Sequence, residues 1–197
     1  RKITFYVNHR HKNGSWIPLE VHASLVEYDG KTLIMSVGHD ITERKQAEES
    51  LALVNRLYRV LSKVNESIAR IHNLDTLFKE VCRILVEDGE YLIAWLGMVD
   101  WNEHTVKPVA SYDEKANFVY NVHVSTDDVP NGRGPSGTAA RTGQPVISED
   151  NESNPHMAPW RDRIRQAGFR SSAAFPLMLG GRAIGVLDLS SDKPRRF

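Results

Sequence analysis

The stretch RSSAAFPLMLGGRAIGVLDLS, residues 170–190, decides the reading of the fold. Two strand-like runs, Ser171–Leu179 and Arg182–Ser190, flank Gly180-Gly181, so the segment reads as a β-hairpin. Immediately upstream, Pro159–Ala167 reads as a short helix with proline at or near its first position and Gly168 as its stop. Before it lies the long polar loop Glu149–Ala158. Gln144–Ile147 is a short strand whose Pro145 marks a sheet edge. Arg133–Gly143 is glycine-rich with a short helical middle. Val119–Ser125 and Thr105–Ser111 are further strands, the former alternating at Val122 and Val124. Tyr91–Val99 carries apolar residues on both faces and reads as a mostly buried strand. Leu74–Glu87 reads as a helix with Leu77, Val81, Ile84 and Leu85 on one face, capped by Asn73 or Asp75.

Residues 1–42 have a different pattern. Ile3, Phe5 and Val7 alternate with polar neighbours, and so do Ile17, Leu19, Val21, Ala23 and Leu25. Asn13-Gly14 and Asp29-Gly30 are two-residue turn signals, and Thr32–Val37 is a third strand. This three-stranded meander is too small to bury its own apolar face. A second chain or a missing partner segment is expected to cover it. Asp40 and Thr42 are candidate N-caps for the helix that follows. From Glu43 to about Ile71 there is no glycine or proline. Ala47, Ser50, Val54, Leu57, Leu61, Val64, Ile68 and Ile71 recur at alternating spacings of 3 and 4, a heptad pattern. That predicts a coiled-coil-like helix pairing between chains. The competing reading is an amphipathic helix packed on its own domain.

Composition removes several classes. The 197 residues carry 25 Lys plus Arg against 25 Asp plus Glu, without the basic excess of a nucleic-acid binder. With 41% hydrophobic and 25% charged residues the chain is of globular type. One cysteine, Cys82, allows no internal disulfide and no cysteine-pair zinc site. No apolar run approaches the roughly 20 residues of a membrane span, and the first residues lack a signal-peptide core. A cytoplasmic protein is expected, with no membrane contact in this chain. Neither end looks like a natural terminus.

The search for chemistry is mostly negative. No phosphate loop, zinc helix or nucleophile elbow is present. Gly134-Pro135-Ser136-Gly137 has the wrong spacing for an elbow. Its glycines let the backbone turn into a short helix, whose free amides could also hold an anion. Among the histidines only His9 and His11 share a strand face, and without a third ligand they make no metal site. His123, between Val122 and Val124, is either solvated or lines a cavity. His156 stands beside Met157 and Trp160, a trio suited to a small-molecule or haem pocket, or to loop packing. Trp95, Tyr112, Trp160 and Phe175 are the aromatics expected to face one cavity. The candidate ligand-binding set is therefore Trp95, Tyr112, His123, His156, Met157, Trp160 and Phe175. No catalytic or metal residue is assigned. Cys82, on the apolar side of a helix, reads as an inert buried thiol.

Two resemblances extend this reading. The turn Lys12–Ser15, the strand Pro18–Val21 and the run Asp40–Lys45 (DITERK) resemble, in order, the second half of a PAS domain. In that family the D-I-T segment joins the last strand to a signalling helix. The early PAS strands and pocket helices would lie before Arg1. Gly134–Val146, Arg170–Leu177 and Gly180–Leu189 resemble a GAF domain. That likeness covers the chain from about Leu53 to Phe197. It implies an antiparallel sheet of about six strands, helices on one side and a ligand pocket on the other. The usual final helix is missing. The pocket cysteine of bilin-binding members is absent, and so is the Asn-Lys…Phe…Asp-Glu signature of cyclic-nucleotide binders. The axial histidine of haem-binding members could only be His123 or His156.

The expectation is thus an α+β chain. Residues 1–42 are PAS strands, 43–71 a signalling helix and 72–197 a GAF domain. Such modules resemble the sensory part of bacterial two-component or cyclic di-GMP signalling proteins. The output, a histidine kinase or a diguanylate cyclase or phosphodiesterase, would lie outside this chain. The function expected is non-catalytic sensing of a small ligand or partner, relayed through a dimeric helix. No cofactor is required, and haem or another small molecule is open. The alternatives are a ligand-free dimerisation module and a small cysteine enzyme using Cys82, after the GAF-like lineage that reduces methionine sulfoxide.

Overall fold

In the computed structural model, residues 2–113, 119 and 122–197 are described. The chain divides into two units, Arg1–Asn55 and Arg56–Phe197.

The first unit holds strands β1 (Lys2–Arg10), β2 (Trp16–Tyr28) and β3 (Lys31–Asp40) in the order β1-β2-β3, all antiparallel. Tyr28 pairs with Lys31 across Asp29-Gly30, whose φ values of +49° and +68° make the tight turn that matches strand twist. The first connection is wider than the two-residue turn expected. Arg10 pairs with Trp16, and the loop closes by Gly14 N–H donating to the His11 carbonyl at 2.9 Å. The Asn13 side chain accepts from the Ser15 amide and hydroxyl, which stabilises this longer loop. Ile3, Phe5, Met35 and Val37 are all exposed. The start of the next helix is fixed by Asp40, whose carboxylate accepts from the Thr42 amide at 2.8 Å. The Thr42 hydrogen bonds hold that carboxyl below its ordinary range.

Helix α1 (Thr42–Arg70) runs from the first unit into the second. Its heptad residues Val54, Leu57, Leu61 and Ile68 are half or more exposed. In the second unit the helix is held by charge. Lys63 donates to Asp88 at 2.7 Å and Arg56 to Glu90 at 2.6 Å. Arg196, near the chain end, also reaches Glu90, at 3.4 Å. Phe197 stacks on Tyr91 with ring centroids 5.4 Å apart.

Helix α2 (Leu74–Glu87) has the boundaries its pattern predicts. Asn73 is the cap, accepting from the Thr76 amide at 2.9 Å. Asn73→Ala is expected to lower stability by about 1 kcal/mol, measured by urea unfolding. The main sheet contains β4 (Ile93–Asp100), β5 (Thr105–Asp113), β6 (Val124–Ser125), β7 (Val146–Ser148), β8 (Ser171–Leu179) and β9 (Arg182–Ser191). Their order is β6-β5-β4-β9-β8-β7 with every pairing antiparallel, so β7 is an edge as Pro145 implied.

The two faces of this sheet are packed by different elements. On one, Cys82 and Leu85 of α2 meet Ala94, Leu96, Ala110 and Leu189. On the other, Ile93, Trp95 and Val186 meet Ala139 of α3 (Pro135–Thr142) and Ile164 of α4 (Arg161–Ala167). Central β4 is covered on both sides, which is why Tyr91–Val99 reads as continuously apolar.

Two boundaries differ from expectation. The strand expected over Val119–Ser125 is described as a strand at Val124–Ser125 alone, and 120 and 121 lie outside the described residues. The helix expected from Pro159 begins at Arg161. Residues Pro155–Trp160 instead form a tight 3-10 turn capped by Asn154, whose side chain accepts from the His156 amide at 2.9 Å. That turn and Asn151 also organise the loop expected to be merely polar. Asn151 is fully buried and its side-chain amide donates to the Phe169 carbonyl and the Ser172 hydroxyl.

Candidate functional site

A cavity of about 60 Å³ lies in the layer between the sheet and α3–α4. Its floor comes from the strands: Trp95 of β4, Ser172 of β8, Asp188 and Ser190 of β9. Its roof is the N-terminal turn of α3, Gly134–Gly137. Met157 and Trp160 of the 3-10 turn and Phe169 close the side. The cavity has less than half of the roughly 150 Å³ of one that admits benzene, so the space suits a small group of a few non-hydrogen atoms.

Register explains the floor. Trp95 pairs with Asp188, which pairs in turn with Ala174, so all three project to the same face. Asp188 is 6% exposed. The Ser136 hydroxyl donates to its carboxylate at 2.6 Å, and the Trp95 side chain is a second hydrogen-bond partner. Burial outweighs both and pushes the Asp188 carboxyl up to about 7. An acid that exchanges its proton near neutrality is thus set inside an apolar cavity. The helix start requires glycine at 134, because a Cβ there would lie 2.6 Å from the Trp160 ring. The free end of α3 is partly used internally, since Ser136 is committed to Asp188.

Of the candidate residues, Trp95, Met157 and Trp160 line the cavity. Tyr112 and Phe175 do not converge with them, which corrects the expectation that the four aromatics share one cavity. Tyr112 pairs with Ala94, and Phe175 with Leu187, so the strand pleat turns both to the α2 face. There the Tyr112 hydroxyl donates to Glu87 at 2.5 Å. His123 and His156 are exposed and are not brought to the cavity. Cys82 is fully buried on the sheet-facing side of α2, across the sheet from the cavity, and burial pushes its thiol up to about 12.

Asp188 and Ser136 were missed by the sequence reading. The signal was present in IGVLDLS. A lone carboxylate at a core-facing position of a doubly covered strand requires a partner. Its pairing with a serine on a distant glycine-rich turn was not legible from spacing.

The chain belongs to the GAF domain family, whose model matches residues 71–197. It is 31% identical over 147 residues to the methyl sulfide methyltransferase-associated sensor of Methanosarcina acetivorans. That match covers 71% of this chain and 14% of the relative, so the chain spans a small part of that protein's length. Among solved structures, the A. aeolicus nlh2 GAF domain in an inactive state superposes with a TM-score of 0.58 at 18% identity, covering 71% of this chain and 81% of that one. The free methionine-R-sulfoxide reductase of Neisseria meningitidis, in complex with its substrate, gives 0.58 at 22% identity, covering 70% and 74%. These likenesses establish the fold: an α+β architecture with a six-stranded antiparallel sheet. Among the described residues, no helix is long and apolar enough to cross a membrane.

Proposed function

We propose that this chain is a ligand-sensing and relay segment of a larger signal-transduction protein. The observation that carries the reading is Asp188. A buried carboxyl with a strongly raised pKa, set between an indole and a serine and facing a cavity, is the kind of perturbed group that marks a ligand site. A purely structural core would be more stable with an apolar residue in its place. The family match and the sensor relative support a sensory role. In this reading residues 72–197 are the sensing domain, 1–42 the closing strands of a PAS domain and 43–71 the transmitting helix. The exposed heptad stripe of α1 pairs with a second copy, and ligand binding shifts the population between two packings of that pair. The output activity, a kinase or a cyclic di-GMP enzyme, belongs to residues outside this chain.

The second reading, a dimerisation module without ligand, rests on the same exposed stripe and on the modest cavity volume. A catalytic reading through Cys82 has little support, because the thiol is buried and faces away from the cavity. Loss of a reductase activity on Cys82→Ser would restore it.

Native followed by denaturing mass spectrometry of the purified chain separates the first two readings. A mass added in the native spectrum and lost on denaturation is expected for the sensor. A dimer with no added mass favours the structural module. Sedimentation is expected to show a dimer, and a strict monomer at high micromolar concentration would remove the paired-helix relay.

A further inference from the structure

We propose that the cavity takes a small tertiary alkylammonium ion, its single N–H directed to Asp188 and its alkyl carbons set against Trp95, Trp160 and Met157. The proposal rests on the reading of the cavity as a ligand site and names the ligand's chemical class. Four observations converge on that class.

The first is size. About 60 Å³ is less than half of the roughly 150 Å³ of a cavity that admits benzene, so only a small ligand of a few non-hydrogen atoms is accommodated. A haem or a nucleotide is several times too large. The second is charge. Asp188 is the only ionisable side chain among the described residues that line the cavity. The residues meeting it from the packed elements are Trp95 of β4, Ala174 of β8 and Ser136 of α3, none of which titrates. An anion would meet a carboxylate with no counter-charge, whereas a cation neutralises it.

The third is hydrogen-bond capacity. An ionised carboxylate offers about four acceptor sites, and Ser136 and Trp95 occupy two. The other floor hydroxyls are engaged. Ser172 and Ser190 bond each other at 2.9 Å, and Asn151 donates to Ser172. Two acceptor sites therefore remain, fewer than the three N–H donors of a primary ammonium would need, which favours an ion with fewer N–H groups. The fourth is the wall. Two indoles and a thioether attract a cation with an alkyl surface better than they attract a hydrated one.

The test is calorimetric titration of the full chain with trimethylammonium chloride, and in parallel with tert-butanol, tetramethylammonium and acetate. At pH 8 trimethylammonium is expected to bind saturably and at least about tenfold tighter than tert-butanol, its neutral counterpart of similar size. Tetramethylammonium, lacking the N–H, is expected to be weaker, and acetate not to bind. Because binding requires ionised Asp188, affinity falls about tenfold per pH unit below the carboxyl's value of about 7.

Asp188→Asn is expected to abolish the preference for the cation. Trp160→Leu, which keeps an apolar wall but removes the indole face, is expected to weaken the cation about tenfold and tert-butanol by much less, with far-UV circular dichroism checking that the variant is folded. Equal binding of trimethylammonium and tert-butanol overturns the proposal, as does affinity unchanged from pH 5 to pH 8. If trimethylammonium does not bind but the native spectrum still retains a mass, the alkylammonium assignment falls and the ligand site stands. If no probe binds and no mass is retained, both fall.

Discussion

Trp95→Ala is expected to lower the unfolding free energy by about 3–5 kcal/mol, the range for deleting a large core aromatic. Trp95 is 7% exposed on the central strand and belongs to the apolar cluster between the sheet and α3–α4. Its ring fills the space where Gly97 has no side chain, since a Cβ at 97 would lie 2.7 Å from it. Deletion also strips a hydrogen-bond partner from Asp188 and enlarges a cavity that already exists. Neighbours cannot collapse into the gap readily, because β4 is fixed by pairing on both sides. For a chain of this size, the loss corresponds to a drop in Tm of roughly 6–20 °C. Tyr112→Phe, which removes one partly exposed hydrogen bond to Glu87, is the contrast and should change stability by under about 1 kcal/mol. Urea unfolding of both variants checks the pair. A loss below about 1 kcal/mol for Trp95→Ala would contradict the packing described.

Asp188 gives the second large effect, and it depends on pH. Its carboxyl stands at about 7 in the folded chain against 3.8 ordinarily. Between those values the folded state holds a proton that the unfolded state has released. Stability from this group is therefore full below about pH 4, declines as pH rises and is lost by about pH 7. At about 1.4 kcal/mol per pH unit, the span amounts to at most about 4 kcal/mol. Asp188→Asn removes the slope. The stability difference between the variant and the parent chain is expected to move in the variant's favour from pH 4.5 to pH 8. Exposed carboxyls such as Glu90 and Asp128, held low by Arg56 and Arg133, act at more acid pH and are common to both chains. Chemical denaturation of both chains at several pH values measures the difference. A constant difference across that range would mean that Asp188 is ionised throughout.

Much of the architecture could be read from the chain because it is written in local patterns. The hairpin around Gly180-Gly181, helix α2 with its Asn73 cap and the three N-terminal strands each carry their own periodicity and punctuation. The site was harder. Trp95, Met157 and Trp160 could be nominated as aromatic or soft apolar residues on neighbouring elements. Tyr112 and Phe175 satisfied the same criterion, and only strand register, a long-range property, sends them to the other side of the sheet. Asp188 is not legible as a site residue, because a charge in a strand reads as solvated until the covering elements are known. His156 was drawn in by sequence adjacency to Met157, yet the 3-10 turn points the two residues to different surroundings.

The double contact on Glu90 has a mechanical meaning. One carboxylate receives Arg56 from the long helix and Arg196 from the last residues of the chain. The strand that carries Asp188 runs directly into that last segment, which Phe197 anchors on Tyr91. The long helix and the segment that follows the cavity floor thus share one carboxylate, as two ropes tied to one cleat.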